Sequence, residues 1–282
     1  MQILRTVKEI REWKASIRGS VGFVPTMGAL HDGHLSLVSQ SLTQCDHTVV
    51  SIFVNPTQFG PNMDLDTYPR DLEGDIEKLK SLHEVGEVDI VFAPSLIEIY
   101  PHKQASWIEV ESVTEHLDGA SRPGYFRGIA TVVAKLFNIV RPDSAFFGQK
   151  DIQQATMITK MAIELNLGVD VVTVPTVREA DGLAMSSRNQ YLTDENRSDA
   201  LLLFQALSEV EQRFQAGQSS CAMLKKIAIE ILQRSDRIKI DYVEIVDRDS
   251  MQPIDIVESV GVIAIAVDLE GTRLIDNFIL QS

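Results

Sequence analysis

Short apolar runs alternate with longer stretches of helical periodicity from the start of the chain to Val174, and this pattern predicts strands and helices in turn. The strand candidates are Val21 to Val24, Thr48 to Val54, Val88 to Phe92, Ala145 to Phe147 and Val169 to Val174. Between them, Leu35, Leu37, Val38 and Leu42 form the packed side of one helix. Ile129, Val132, Val133, Leu136, Phe137 and Val140 hold helical spacing until Pro142 stops the run, and Ala155, Ile158, Met161, Ala162 and Leu165 do so before Gly168. Such alternation is the pattern of an α/β fold built on a parallel sheet.

After Pro175 the pattern changes, which places a domain boundary near Thr176 to Asp181. Thr193, with Asp194 and Glu195 behind it, opens a helix whose apolar face includes Ala200, Leu203, Phe204, Leu207 and Phe214. Gly217 follows its end, and Ser219 or Ser220 starts a second helix with Leu224, Ile227, Ala228 and Ile231 facing inward. Strands at Ile240 to Val246, Val260 to Val267 and Arg273 to Ile279 complete an α+β segment, the last two joined through Glu270-Gly271. No internal repeat or low-complexity tract interrupts either part.

Composition narrows the function classes. A length of 282 residues suffices for one large domain or two smaller ones, each with its own core. A net charge of -14 argues against a nucleic-acid or anionic-membrane partner, since both surfaces would repel the protein. Two cysteines, Cys45 and Cys221, lie far apart in sequence and fit a reducing compartment better than a disulfide framework. Arg5, Lys8, Glu9, Arg11, Glu12 and Lys14 leave no apolar core for a signal peptide, and no window reaches a transmembrane length. The expected location is the cytoplasm.

The chemistry is concentrated in the turn after the first of these strands. Pro25-Thr26-Met27-Gly28 leaves its C-terminal end, and His31-Asp32-Gly33-His34 opens the helix that follows. A helix N-terminus presents backbone N–H groups and a positive dipole end, a natural place for phosphate. Gly28 and Gly33 would let the backbone turn tightly, and the two histidines, on one helical face, would donate ring N–H groups to phosphate oxygens. The same pair could be half of a metal site, but no Cys or Glu cluster supplies further ligands, so no metal ligand is assigned. Kinase-type and dinucleotide-binding readings both weaken, because His34 and Leu35 stand where a Walker loop needs Lys and Ser or Thr, and no Gly-x-Gly-x-x-Gly occurs. Ligands of parallel sheets bind beyond the strand C-terminal ends, where Met27 to His34, Asn55 to Gln58 and Gly148 to Gln154 all fall on this assignment, so that they would line one crevice.

Several blocks together resemble the pantothenate synthetase family, the AMP-forming pantoate–β-alanine ligases of the His-x-Gly-His nucleotidyltransferase superfamily. They are Pro25 to His34, Ser51 to Phe59, Thr131 to Asn138, Phe147 to Gln154, Asp181 to Asn189 and Arg273-Leu274-Ile275-Asp276-Asn277, in the family's order and spread over nearly the whole chain. The resemblance implies a Rossmann-like ATP- and pantoate-binding domain over 1–176 and a smaller C-terminal α+β lid domain over 177–282. It implies a two-step reaction in which (R)-pantoate and ATP give pantoyl adenylate and pyrophosphate, and β-alanine then displaces AMP to give pantothenate. Magnesium would accompany ATP, held by phosphate oxygens and water. A homodimer is also implied, with Ser51 to Val54 or the loop after it as a contributor to its interface.

Site residues follow from the same resemblance. ATP would be held by Met27, Gly28, Ala29, Leu30, His31, Asp32, Gly33 and His34, by Gly148, Gln149, Lys150 and Asp151, by the backbone of Val177, and by Met185, Ser186, Ser187 and Arg188. The catalytic donors among them would be His31, His34, Lys150, Ser186, Ser187 and Arg188, with the Met185 to Arg188 loop closing over the leaving pyrophosphate. Gln58, Gln154 and Asn55 would hold pantoate, since neutral amides both donate to a carboxylate and accept from hydroxyls. Tyr125, in Arg122-Pro123-Gly124-Tyr125-Phe126, stands where many members have His, and Met63 replaces an expected acidic residue. No paired base for the β-alanine amine stands out. The rival readings are a His-x-Gly-His enzyme acting on a phosphate acceptor and a nucleotide-binding regulator without turnover. The first would lack the Asn55-Pro56-Thr57-Gln58 and Lys150 to Gln154 blocks, and the second would release no AMP.

Overall fold

The computed structural model describes residues 1–60 and 65–281, so Met63 lies outside the described residues. The chain forms two compact units. One comprises Met1–Val110, Arg122–Gly148 and Met157–Pro175, the other Glu111–Ser121, Gln149–Thr156 and Thr176–Ser282. A single boundary at 176 therefore leaves out two earlier excursions into the second unit. Gln153 ties these two together: its Nε2 donates to Val113 O at 2.9 Å and His116 O at 2.8 Å, and its Oε1 accepts from Asp118 N at 3.1 Å.

The first unit holds six parallel strands, β1 (Gln2–Leu4), β2 (Val21–Thr26), β3 (His47–Ile52), β4 (Ile90–Phe92), β5 (Ser144–Gly148) and β6 (Asp170–Val174), in the order β1-β4-β3-β2-β5-β6. The strand β1 is not foreseen by the pattern: it has only three residues, and Ile3 is exposed at the sheet edge. By contrast β3 lies between β2 and β4, with Val49, Val50 and Ser51 buried. From β2 the chain winds outward on one side through β3 and β4, then returns to place β5 on the other side of β2. The strand order reverses between β2 and β5, and the C-terminal ends of strands flanking such a reversal are where open α/β sheets bind ligands.

The helices Asp32–Gln44, Tyr125–Val140 and Ile152–Glu164 match the apolar spacing. In Tyr125–Val140 the buried set Phe126, Ile129, Val132, Val133, Leu136, Phe137 and Val140 covers more than one face, and Arg141 at φ 54° ends the helix before Pro142. Phe23, Phe92 and Phe146 are fully buried, and truncating any one to Ala would cost about 3–5 kcal/mol.

The second unit carries the antiparallel strands β7 (Ile238–Asp247), β8 (Val260–Leu269) and β9 (Thr272–Gln281), with β8 in the middle. Glu270 and Gly271 close the β8–β9 hairpin at φ 49° and 88°, the positive pair that a two-residue turn of matching twist requires. The helices Asp194–Gln215 and Cys221–Leu232 share one apolar cluster with the sheet through Leu203, Leu207, Leu224, Ile245, Ile263 and Ile265. Thr193 caps the first, accepting from Asn196 N at 3.2 Å, and Ser220 rather than Ser219 precedes the second. Both cysteines are free. Among the described residues no helix is long and apolar enough to cross a membrane.

Candidate active site

At the C-terminal end of β2 the chain enters a strained turn. Gly28 sits at φ 83° and Ala29 at φ 51°, a left-handed pair in which only the first residue is a glycine. A carboxylate from far along the sequence holds it. Asp75, on the helix Leu72–Lys80, accepts from Ala29 N at 3.0 Å and Leu30 N at 2.7 Å, and Lys78 one turn later donates to Leu30 O at 2.6 Å. A Cβ on Gly28 would lie 2.9 Å from Asp75 Oδ2, so glycine is needed there for space as well as for its φ. Asp75 is 1% exposed. Burial pushes its carboxyl above the usual aspartate range, although the two N–H donors and Lys78 pull it down.

The two histidines are not arranged on one helical face as the spacing suggests. His31 is the extended N-cap residue, at φ -139°, and His34 is the third residue of the helix Asp32–Gln44. Their rings nevertheless lie 4.0 Å apart, tilted by 37°. The His31 N–H donates to His34 Nδ1 at 3.4 Å, so a neutral His34 ring carries its proton on Nε2. Gly33 lies inside the helix, and the positive φ values fall on Gly28 and Ala29 instead. Met27, His31 and His34 are half-buried, Asp32 is exposed and Leu30 is buried.

Beyond β3, Asn55 is 1% exposed and its amide is engaged within the protein. Its Oδ1 accepts from Tyr100 OH at 2.8 Å and Thr57 Oγ1 at 2.9 Å; its Nδ2 donates to Gln58 Oε1 at 3.0 Å and Gly128 O at 3.3 Å. Asn55 therefore orients Gln58, whose Nε2 points to Met27 Sδ at 3.2 Å. The helix Tyr125–Val140 presses on this turn at Gly128, where a Cβ would come within 2.3 Å of Thr57 O. Tyr125 opens that helix with the Arg122 guanidinium stacked 3.3 Å from its ring centre.

After β5 the chain passes into the second unit with the turn Gln149–Asp151 and then the start of the helix carrying half-buried Gln154. Lys150 Nζ lies 3.9 Å from Asp151 Oδ2. The segment after Thr176 folds back on itself: Met185 N donates to Val177 O at 3.0 Å, Glu179 N donates to Leu183 O at 2.8 Å, and Arg178 bridges Ala184. Ser186 Oγ then accepts from Arg188 N at 3.2 Å and opens the short turn of helix Ser187–Tyr191. Met185, Ser186, Ser187 and Arg188 are all half-buried. Gln58 thus belongs to the first unit, while Gln154 belongs to the second.

The histidine pair at the helix start after β2 and the Gln58 turn after β3 thus lie in the first unit, and the Lys150 turn lies in the second. The family model for pantoate-beta-alanine ligase matches residues 2–279. The chain belongs to the pantoate-beta-alanine ligase family. A pantothenate synthetase of Pelotomaculum thermopropionicum is 50% identical over 99% of this chain and 99% of its own. A solved pantothenate synthetase of Thermus thermophilus is similar with a TM-score of 0.93 and 42% identity, each chain covered in full. A pantoate-beta-alanine ligase of Francisella tularensis, solved with beta-gamma ATP and beta-alanine, is 35% identical with a TM-score of 0.81, over 99% of this chain and 97% of that one.

Within this ligase, sequence reasoning passed over the residues that hold the family blocks in shape. Asp75 and Lys78 fall in a stretch with no motif, and the contacts reach 46 and 48 positions along the chain. Gly128 lies on a helix whose apolar spacing drew attention elsewhere. Asp276 and Asn277 belong to a quoted block, but nothing local shows what they touch. Asp276 receives both Arg178 guanidinium nitrogens, at 2.6 and 2.9 Å, and Asn277 Nδ2 donates to Gln149 O and Lys150 O, both at 2.9 Å.

Proposed function

We propose that this chain makes pantothenate from (R)-pantoate and β-alanine with ATP, through a pantoyl adenylate, releasing pyrophosphate and then AMP. The observation that carries the reading is the stacked His31–His34 pair at the helix N-terminus after β2, in a chain matched end to end by the ligase family.

The pantoate carboxylate is ionised at neutral pH and needs no base. Its oxygen attacks the α-phosphorus, forming an O–P bond as the bond to the β-phosphate breaks and pyrophosphate leaves. Alignment and charge compensation are what the protein must supply. A helix N-terminus contributes only about 0.3–1 kcal/mol toward an exposed anion, so side-chain donors do most of it. His34 donates from Nε2 to the α-phosphoryl oxygens as negative charge builds there, with His31 beside it. Lys150, Ser186, Ser187 and Arg188 donate to the phosphates that leave, and Asp151 and the Val177 backbone contact the nucleoside. Gln58, oriented by Asn55, and Gln154 hold pantoate. In the second step β-alanine, its ammonium having lost a proton to water, attacks the acyl carbon with its neutral amine; the C–N bond forms, AMP departs with the bridging oxygen, and the proton still carried by the nitrogen passes to water.

Magnesium enters bound to ATP. The cation would be held by phosphate oxygens and water. The Asp181 to Asn189 segment closes over the pyrophosphate and shields the adenylate from water; protease sensitivity of this segment unchanged by ATP would contradict that closure. The protein works in the cytoplasm as a homodimer, which sedimentation of the purified chain tests.

The deciding experiment omits pantoate, β-alanine, ATP and magnesium in turn and follows AMP with pantothenate by mass spectrometry. The reading requires AMP and pantothenate in equal amounts from the complete mixture only. A folded sample that binds ATP and yields neither product would overturn it.

A further inference from the structure

We infer that Asp276 and Asn277 are positioning residues for adenylation, two neighbours on β9 that fix the two phosphate-handling segments of the second unit. The inference rests on the assignment of Lys150 and Ser186 to Arg188 to the nucleotide. Side chains of successive strand residues point to opposite faces, so one dipeptide can serve two segments. Asn277, 2% exposed, donates from one amide nitrogen to the carbonyls of both Gln149 and Lys150, and its Oδ1 accepts from Gln149 Nε2 at 3.4 Å. The turn bearing Lys150 therefore hangs by its backbone from β9.

Asp276, 3% exposed, pairs in fork fashion with Arg178. Arg178 also donates to Gly182 O at 3.1 Å, and its guanidinium lies against the paired rings of Phe204 and Phe278, 5.0 and 4.9 Å from their centres. This holds the folded-back segment, whose returning arm leads through Met185, paired with Val177, directly into Ser186 to Arg188. The two anchors are themselves joined, since Asn277 N donates to Asp276 Oδ1 at 2.8 Å. Displacement of either segment by a fraction of an ångström would misalign donors that act only in the transition state.

The test is a pair of double-mutant cycles on the full-length enzyme, N277A with K150A and D276N with R188A, read by two assays. One is kcat/KM for ATP in AMP formation. The other is the rate of pantothenate formation from preformed pantoyl adenylate and β-alanine, a step without a triphosphate. N277A and D276N should lower the first by up to about 10²-fold and the second by clearly less, since that step has no triphosphate to align and keeps only the nucleoside contacts of Asp151 and Val177. Adding N277A to K150A, or D276N to R188A, should cost little more, because each anchor acts through its partner segment. Should N277A fold poorly, the near-isosteric N277D, which removes the donor, replaces it. Losses that multiply in the double variants, or that fall equally on both assays, would overturn the inference. K150A impaired with N277A unaffected would overturn it alone, whereas K150A equal to the parent enzyme would overturn the assignment beneath it.

Discussion

The two turns proposed above to handle phosphate are anchored by opposite hydrogen-bonding chemistry. The Met27 to His34 turn of the first unit leaves backbone N–H groups to be satisfied, and it is held by an acceptor, the Asp75 carboxylate. The Gln149–Asp151 turn of the second unit leaves carbonyls, and it is held by a donor, the Asn277 amide. A carboxylate only accepts and an amide nitrogen only donates, so each anchor suits the backbone groups its turn presents. The difference has a functional edge: the first anchor titrates and the second does not.

The largest effect expected is on the chemistry that the first turn presents. His34→Ala should lower kcat for AMP formation by about 10² to 10³, while Asp75 and Asn277 variants keep an intact donor and lose less. An unchanged kcat would remove His34 from the transition state.

Next comes the pH test, which separates the two anchors directly. Burial raises the Asp75 carboxyl, so it takes up its proton at a higher pH than an ordinary aspartate, against the pull of Lys78 and with that of Asp71. Protonation removes acceptor capacity from the two N–H bonds, and kcat/KM for ATP should fall as pH drops through that raised pKa. The stability sign runs the other way: a carboxyl with a folded pKa above its unfolded value binds protons better when folded, so this group adds stability as pH falls. Activity should thus be lost before the fold. Asp75→Asn should lower kcat/KM at neutral pH by about tenfold or more and abolish this acid limb, whereas Asn277→Ala should keep it. An acid limb equally present in Asp75→Asn would show that the carboxylate is not the anchor that titrates.

A smaller effect is expected at Gly128. A methyl there meets Thr57 O at 2.3 Å, and overpacking of this kind costs about 1–3 kcal/mol, offset by up to about 1 kcal/mol of helix propensity. Gly128→Ala should raise KM for pantoate through the Gln58 turn more than KM for ATP. Equal changes in both would place the strain elsewhere.

The smallest lies at the N-terminal ends of the strands, away from both turns. His47 bridges Asp89 Oδ1 at 3.0 Å and Arg18 O at 2.9 Å, and the Asp89 bond above all raises its pKa from 6.5. Its contribution is fully present below about pH 6.5, the unfolded value, and is lost as pH rises through the folded pKa. His47→Gln should flatten thermal stability across that window without touching ATP kinetics.

Much of this was legible along the chain. Strands β2 to β5 emerge from their apolar runs because both faces are covered, and Thr193 and Pro142 mark helix ends by local chemistry alone. The blocks around His31, Lys150 and Ser186 stand out along the chain because glycine, hydroxyl and basic residues cluster in them, and the proposal that they take phosphate starts from that clustering. What escaped is whatever depends on distant partners. Three residues at an edge give β1 too little period to read, and His31 leaves the helix because an N-cap must be extended, which spacing cannot show. Asp75 looks like one more acid on a solvated helix until the fold brings it to Ala29. Asn277 meets Gln149 across 128 positions, a contact that no local pattern encodes.

The most direct test of the central claim, adenylation served by two differently anchored turns, is the exchange of labelled pyrophosphate into ATP with pantoate present and β-alanine absent. The account predicts pantoate-dependent exchange in the parent enzyme, depressed in His34→Ala, in Asp75→Asn and in Asn277→Ala, with acid sensitivity retained only where Asp75 remains. Pantothenate formed in full mixtures without any exchange under these conditions would contradict it.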